Sequence, residues 1–186
     1  GGGDGGGGGA GAGDTPFYAA AHARYISSLS SRTDTLEYVV TEHLRMSGVY
    51  WGLTAMDVLN RADEMDKAAI VEWVLRCQHE GGGFGGNEGH DPHMLYTLSA
   101  VQLLALCGAL DRVDGDKVAA FVAGLQRDDG SFVGDEWGEV DTRFSYCALS
   151  CLAMLGRLWP AEGRAALIDV KAATDYVASC RNFDGG

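Results

Sequence analysis

Two stretches of this chain lie over one another residue by residue. Cys77-Gln78-His79-Glu80-Gly81-Gly82-Gly83-Phe84 matches Leu125-Gln126-Arg127-Asp128-Asp129-Gly130-Ser131-Phe132 at an offset of 48. Asp91 and Tyr96 match Asp141 and Tyr146 at an offset of 50, and a third copy opens at Cys180-Arg181-Asn182-Phe183-Asp184-Gly185-Gly186. A period of this length marks a repeat architecture, in which each unit buries its apolar face only against its neighbours. The chain must therefore fold as an array.

Between the glycine-rich stretches, apolar residues recur every three or four positions, the spacing of one helix face. Leu36, Val39, Val40 and Leu44 form one such stripe, and Val49, Leu53, Met56 and Leu59 the next. Further stripes run through Ile70 to Cys77, Leu95 to Ala105, Val118 to Leu125, Phe144 to Leu155 and Leu167 to Val177. No segment alternates as a half-buried strand does, so we expect an all-α chain. Asp91-Pro92 reads as a helix start, an acceptor side chain followed by proline where no N–H is needed. Asp114 and Asp141 read as caps as well. The glycines at 81–86 and the stretch at 128–134 end one helix and lead into the next.

Each unit is then a helix, a Gly/Phe loop and a second helix. The second helices, YTLSAVQLLALCGAL and FSYCALSCLAMLG, are apolar almost all round, as a helix enclosed on several sides is. The array either runs on as a solenoid or closes into a double-ringed helical barrel whose inner helices share a cavity. His93 and Arg143 stand in the first turns of such helices, where unpaired N–H groups disfavour cations. Arg143 there meets either an anionic or polar ligand at the cavity mouth, or Glu136 or Glu139 in its own loop. For His93 a structural hydrogen bond is the favoured reading.

The net charge of −12, from 26 acids against 14 Lys plus Arg, argues against nucleic-acid binding by charge attraction. The first 14 residues, GGGDGGGGGAGAGD, cannot bury apolar surface and are expected to behave as a flexible tail ahead of the repeats at 15–186. They lack the basic start and apolar middle of a signal peptide, and no apolar run reaches a membrane-spanning length. Cys77, Cys107, Cys147, Cys151 and Cys180 are an odd set in helix-like segments, and we read them as reduced core thiols of a cytosolic protein.

The stretches RYISSL (24–29), EHLRMSGVYWGLTAMD (42–57), CQHEGGG (77–83), GHDPHMLYTLSAVQ (89–102), GLQRDDGSF (124–132), GDEWGEVDTRFSYCAL (134–149) and SCRNFDGG (179–186) resemble the β subunits of the protein prenyltransferases. MSGVYWG and WGEVDTRFSYC are the most specific of them, and they point to the Rab geranylgeranyltransferase branch. The resemblance implies an α/α toroid barrel and a cytosolic zinc enzyme. Such an enzyme carries a C20 geranylgeranyl group from geranylgeranyl diphosphate to C-terminal cysteines of Rab GTPases presented by Rab escort protein, with a helical α subunit wrapped around it. Ser47 and Leu98 match positions at the cavity floor where farnesyl-transferring relatives carry bulkier aromatics. Trp51, Arg143 and Tyr146 match positions that line the cavity.

The family's zinc ligands, an Asp-x-Cys pair and a distant His, have no match here, nor do its diphosphate-binding His, Arg and Lys. We expect them beyond Gly186, which leaves these residues as roughly half of a barrel carrying lipid-pocket wall without catalytic groups. Asp63-Glu64-x-Asp66 and Asp111-x-x-Asp114 resemble Mg²⁺-diphosphate motifs but sit where acidic caps are routine. Cys77-x-His79 lacks the further ligands a zinc site needs. Two other readings stay open. One is a terpenoid-cyclase-like barrel, on the strength of Gln126-x-x-x-Gly130; the other is a non-catalytic module that docks an α subunit.

Overall fold

The computed structural model describes residues 17–160, 162, 163 and 165–185, so the glycine-rich stretch at 1–14 lies outside the described residues. Eight α-helices follow one another there: α1 Ala19–Leu29, α2 Leu36–Val40, α3 Arg45–Val58, α4 Lys67–Arg76, α5 Met94–Leu106, α6 Gly115–Gly124, α7 Thr142–Met154 and α8 Val170–Ser179. Among the described residues extended pairing is confined to isolated bridges, and no helix is long and apolar enough to cross a membrane. The all-α expectation holds.

The helices form two layers. α3, α5 and α7 pack side by side; α4 backs α5, α6 backs α7, and α1 lies against α3. The core runs between the layers, from Met46, Leu53 and Val74 through Phe84, Leu103, Leu104 and Val122 to Phe132, Phe144 and Leu152. α5 is the most enclosed element, burying eight of its residues from Met94 to Leu104. This is the inner and outer layering that its all-round apolarity predicts.

The first two loops stand in a register of 48. The bridge pairs Gln78–Phe84 and Gly85–Pro92 recur as Gln126–Phe132 and Val133–Val140. Asp66 caps α4 by accepting the Ala69 N–H at 2.9 Å, and Asp114 caps α6 by accepting from Asp116 and Lys117 at 3.1 Å. The offset of 50 read from Asp91 and Asp141 is therefore wrong. Asp91 caps nothing: Pro92 is occupied in the bridge to Gly85, and the helix begins two residues later. His93 holds the cap position instead, in register with Asp141. The third unit comes late, with Asp169 capping α8 fifty-five residues after Asp114, because a longer connection follows α7.

Each glycine-rich loop ties two neighbouring units together. The Gly86 carbonyl accepts the Met46 N–H at 2.8 Å, and the Gly134 carbonyl accepts the Met94 N–H at 2.7 Å. Both bonds satisfy a donor that a helix N-terminus leaves unpaired. On the other side, the loop sits directly on the first turn of the next outer helix. Gly82, at φ +97°, leaves no room for a Cβ against the Lys117 carbonyl; Gly130, at φ +85°, does the same against Ala172. Gln126 completes the second contact by reading the Asp169 backbone twice, at 2.9 and 2.8 Å.

Two sequence expectations fail at the edges. The stripe Leu36, Val39, Val40 and Leu44 is exposed, at 45–73%, because α2 is a short helix of five residues that buries none of them among the described residues. Arg45 ties that turn to α3 by stacking 3.5 Å over the Tyr38 ring and donating to the Tyr38 carbonyl. Cys180 is exposed rather than in the core, while Cys77, Cys147 and Cys151 are buried and Cys107 is half-buried.

Gly82→Ala and Gly130→Ala are each expected to cost at least about 2 kcal/mol, since left-handed strain and a backbone overlap add. Gly108→Ala, also at positive φ but in open space, should cost about 1 kcal/mol. Urea denaturation of the three variants tests the ranking.

Candidate functional site

The inner layer presents one face that no outer helix covers. With a register of 48, Ser47, Leu95 and Arg143 form one row across α3, α5 and α7, and Tyr50, Leu98 and Tyr146 form the next. Trp51 lies one turn below Ser47 on α3 and is 67% exposed; Tyr146 is 63% exposed on α7. Leu98 lies between them on α5, sunk to 5% exposure. Ser47 is half-buried. The five residues singled out in the sequence therefore belong to three adjacent helices and the same end of the layer.

Exposed aromatics on the inner side of a helical array give it an apolar wall. Trp51 is steadied by Tyr50, with ring centroids 5.1 Å apart, and Gly48 beside it opens onto free space. A large exposed apolar face of this kind marks a ligand or partner surface.

Arg143 stands at the rim of that wall. Its backbone N–H donates to Asp141 Oδ1 at 2.8 Å, and Nε and Nη2 donate to Oδ2 at 2.9 and 2.7 Å. Its partner is thus the cap of its own helix, not Glu136 or Glu139. The guanidinium holds the Asp141 carboxyl below the usual carboxylate range and is itself raised in return. The carboxylate offsets the cost of a cation at a helix start. The side chain remains 65% exposed to solvent.

His93 resolves the other oddity in the opposite way, by staying neutral. Its Nδ1 accepts the Leu95 N–H at 3.1 Å, the part that Asp141 plays in α7. The ring packs edge-on to Phe144 at 5.4 Å and against Tyr96 at 5.6 Å, joining α5 to α7. Burial lowers its pKa, opposed by Asp135 and Glu139 and reinforced by Arg143. An accepting Nδ1 requires the unprotonated ring, so burial and capping favour the same state. Sequence reasoning placed a structural hydrogen bond here but missed that the histidine is the cap.

The acidic motifs are structural. Asp66 and Asp114 cap helices, Asp63 pairs with Lys67 at 2.7 Å, and Glu64 pairs with Arg61 at 2.6 Å. Among the described residues, no three potential metal ligands converge. Burial pushes the Cys77 and Cys151 thiols up to about 12 and Cys147 up to about 11. His79 spends its Nε2 on the His90 carbonyl at 2.6 Å. A zinc site needs three or four converging ligands, and among the described residues Cys77 and His79 have no others beside them.

Residues 17–186 match the prenyltransferase alpha-alpha toroid domain family. The chain is 44% identical over 166 residues to the Saccharomyces cerevisiae geranylgeranyl transferase type-2 subunit beta, covering 89% of this chain and 50% of that one. It is 52% identical over 87 residues to the Arabidopsis thaliana geranylgeranyl transferase type-2 subunit beta 1, covering 47% of this chain and 27% of that protein. The solved Candida albicans protein geranylgeranyltransferase-I complexed with GGPP shares the fold at a TM-score of 0.65 and 19% identity, over 76% of this chain and 42% of that one. The chain thus spans half or less of the relatives it matches.

Because folding lowers the His93 pKa, its contribution is complete above the ordinary value of 6.5 and declines as pH falls below it. Losing the cap acceptor should cost about 1 kcal/mol. His93→Asn, which keeps an acceptor without titrating, should flatten the stability slope between about pH 5 and 7 relative to the parent. Alkylation of the native chain at pH 8 should label Cys180 first and leave Cys77, Cys147 and Cys151 untouched until denaturant is added.

Proposed function

The chain belongs to the prenyltransferase alpha-alpha toroid family, and from that premise we propose that it forms part of the β subunit of a type-2 protein geranylgeranyltransferase. That enzyme transfers geranylgeranyl from geranylgeranyl diphosphate to C-terminal cysteines of Rab GTPases. The cysteine sulfur bonds to the first carbon of the lipid, the carbon–oxygen bond to diphosphate breaks, and the thiol gives up its proton. The observation that carries the reading is the uncovered apolar wall, with Trp51 and Tyr146 about two-thirds exposed around Leu98. Similarity to two type-2 beta subunits supports the choice of branch.

In this reading the chain binds and orients the lipid. Trp51 and Tyr146 flank the isoprenoid tail, Leu98 closes the wall behind it, and small Ser47 leaves room for four isoprene units. Arg143, held at the rim by Asp141, meets the polar end of the lipid or the incoming peptide. Zinc in such an enzyme activates the cysteine as thiolate. We assign its ligands, and the groups that hold diphosphate, to the part of the relatives' length that this chain does not span. The working assembly is a cytosolic heterodimer with a prenyltransferase α subunit, to which Rab escort protein delivers the Rab.

Ser47→Tyr in the full gene product, assembled with its α partner, should cut geranylgeranyl transfer at least about tenfold while sparing farnesyl transfer, because a ring there fills the space of one isoprene unit. Competing transfer of the two lipids to a Rab substrate measures the ratio. A parallel loss of both would overturn the reading.

A further inference from the structure

The loop at 133–140 that leads into α7 presents a second surface. Val133 pairs with Val140 across it, and Trp137, between them, is 78% exposed. Asp135 Oδ1 accepts the Trp137 N–H at 2.9 Å and so fixes the turn that presents the ring. An ordered turn that holds a large ring out in water suits a partner that covers it.

Beside the ring runs a groove of about 520 Å³, a size that accepts several side chains. Phe121 and Leu125, at the C-terminal end of α6, and Val133, on the loop, give it an apolar lining. Asp91, Asp135 and Glu136 add carboxylates, and among the described residues that line it Arg127 alone is cationic. Asp91 and Glu136 stand in no ion pair among the described residues. α6 ends here at Gly124 with no basic residue in its last turn, so its own helix supplies no cation for the negative end of its dipole. Gly124 and Gly138 line the groove too, each with open space where a Cβ would stand.

These features fit one kind of guest. A lysine or arginine can lay its methylene stem on Phe121, Leu125 and Val133 and bring its cationic head to the carboxylates or the face of Trp137. An acidic guest meets repulsion in the same place. The groove also adjoins the face described above. Val140, the bridge partner of Val133, stands three residues before Arg143, which is no more than about 11 Å of extended backbone.

We propose that this groove docks a basic stretch of the protein substrate just ahead of the cysteines that receive the lipid. The inference rests on the prenyl-transfer reading and names the chemistry by which the chain holds its polypeptide substrate. A segment held here by its lysines or arginines points its C-terminus toward Arg143. Such a contact acts on substrate binding and not on bond making, so it lowers KM and leaves kcat alone.

The test uses the full gene product with its α partner and two versions of one Rab substrate presented by escort protein. One carries a run of lysines just ahead of its C-terminal cysteines, the other a run of serines. The lysine version should have a KM at least about fivefold lower at low salt with kcat unchanged, and roughly 0.5 M salt should erase the difference. Asp91→Asn/Glu136→Gln, and separately Trp137→Ala, should each bring the two KM values within about twofold while leaving the serine version as it was. Equal KM values in the parent, or a difference that both folded variants keep, overturns the docking and leaves the prenyl-transfer reading intact. Variants that no longer assemble with the α partner also overturn it, since the groove would then be a subunit interface. Failure of the parent to modify either version overturns the prenyl-transfer reading, and the docking with it.

Discussion

The contact between a glycine-rich loop and the first turn of the next outer helix is the constraint on which this array depends. At Gly82 and Gly130 the backbone turns into the left-handed region and lies against a carbonyl of the following unit, Lys117 or Ala172, with no space for a side chain. The same loops give their Gly86 and Gly134 carbonyls to the N-termini of α3 and α5. One loop therefore fixes the height of an inner helix and the seat of an outer one. Loops in which the backbone groups are spent on neighbours in this way transmit register from unit to unit.

That register is what orders the inner face. Because α3, α5 and α7 follow one another at 48 residues, equivalent side chains on them stand at the same depth, and the layer can be read level by level. The first level carries Ser47 and Arg143, and the next carries Leu98 and Tyr146. A face with graded chemistry follows from repetition alone, without any loop reaching in. Electrostatics is settled at the rim, where Asp141 neutralises Arg143 and burial keeps His93 uncharged.

The two inner-helix starts solve one problem by different means. Both need an acceptor for the N–H two residues on. α7 uses a carboxylate and then adds a guanidinium, which the carboxylate stabilises. α5 uses a neutral imidazole, which also packs on Phe144 and so couples the two helices. The acceptor carboxylate suits an exposed rim, while the ring suits an enclosed seam, where a buried charge would cost more than the cap returns.

Much of this protein was legible in its residues. Helical spacing, the Gly/Phe loops, the Asp66, Asp114 and Asp141 positions and the enclosed second helices follow from local rules: periodicity, capping and the freedom of glycine. The motifs MSGVYWG and WGEVDTRFSYC hold Ser47, Trp51, Arg143 and Tyr146, which lie on α3 and α7 at the same end of the layer. Other features depend on which atoms meet across units. Local chemistry favoured Asp91-Pro92 as a helix start, and only the bridge from Pro92 to Gly85 moved the cap to His93 and corrected the register from 50 to 48. Apolar spacing alone made Leu36, Val39 and Val40 look buried, yet among the described residues no helix covers them and they stand exposed. Periodicity records which side of a helix is apolar; what lies against that side is decided by the fold.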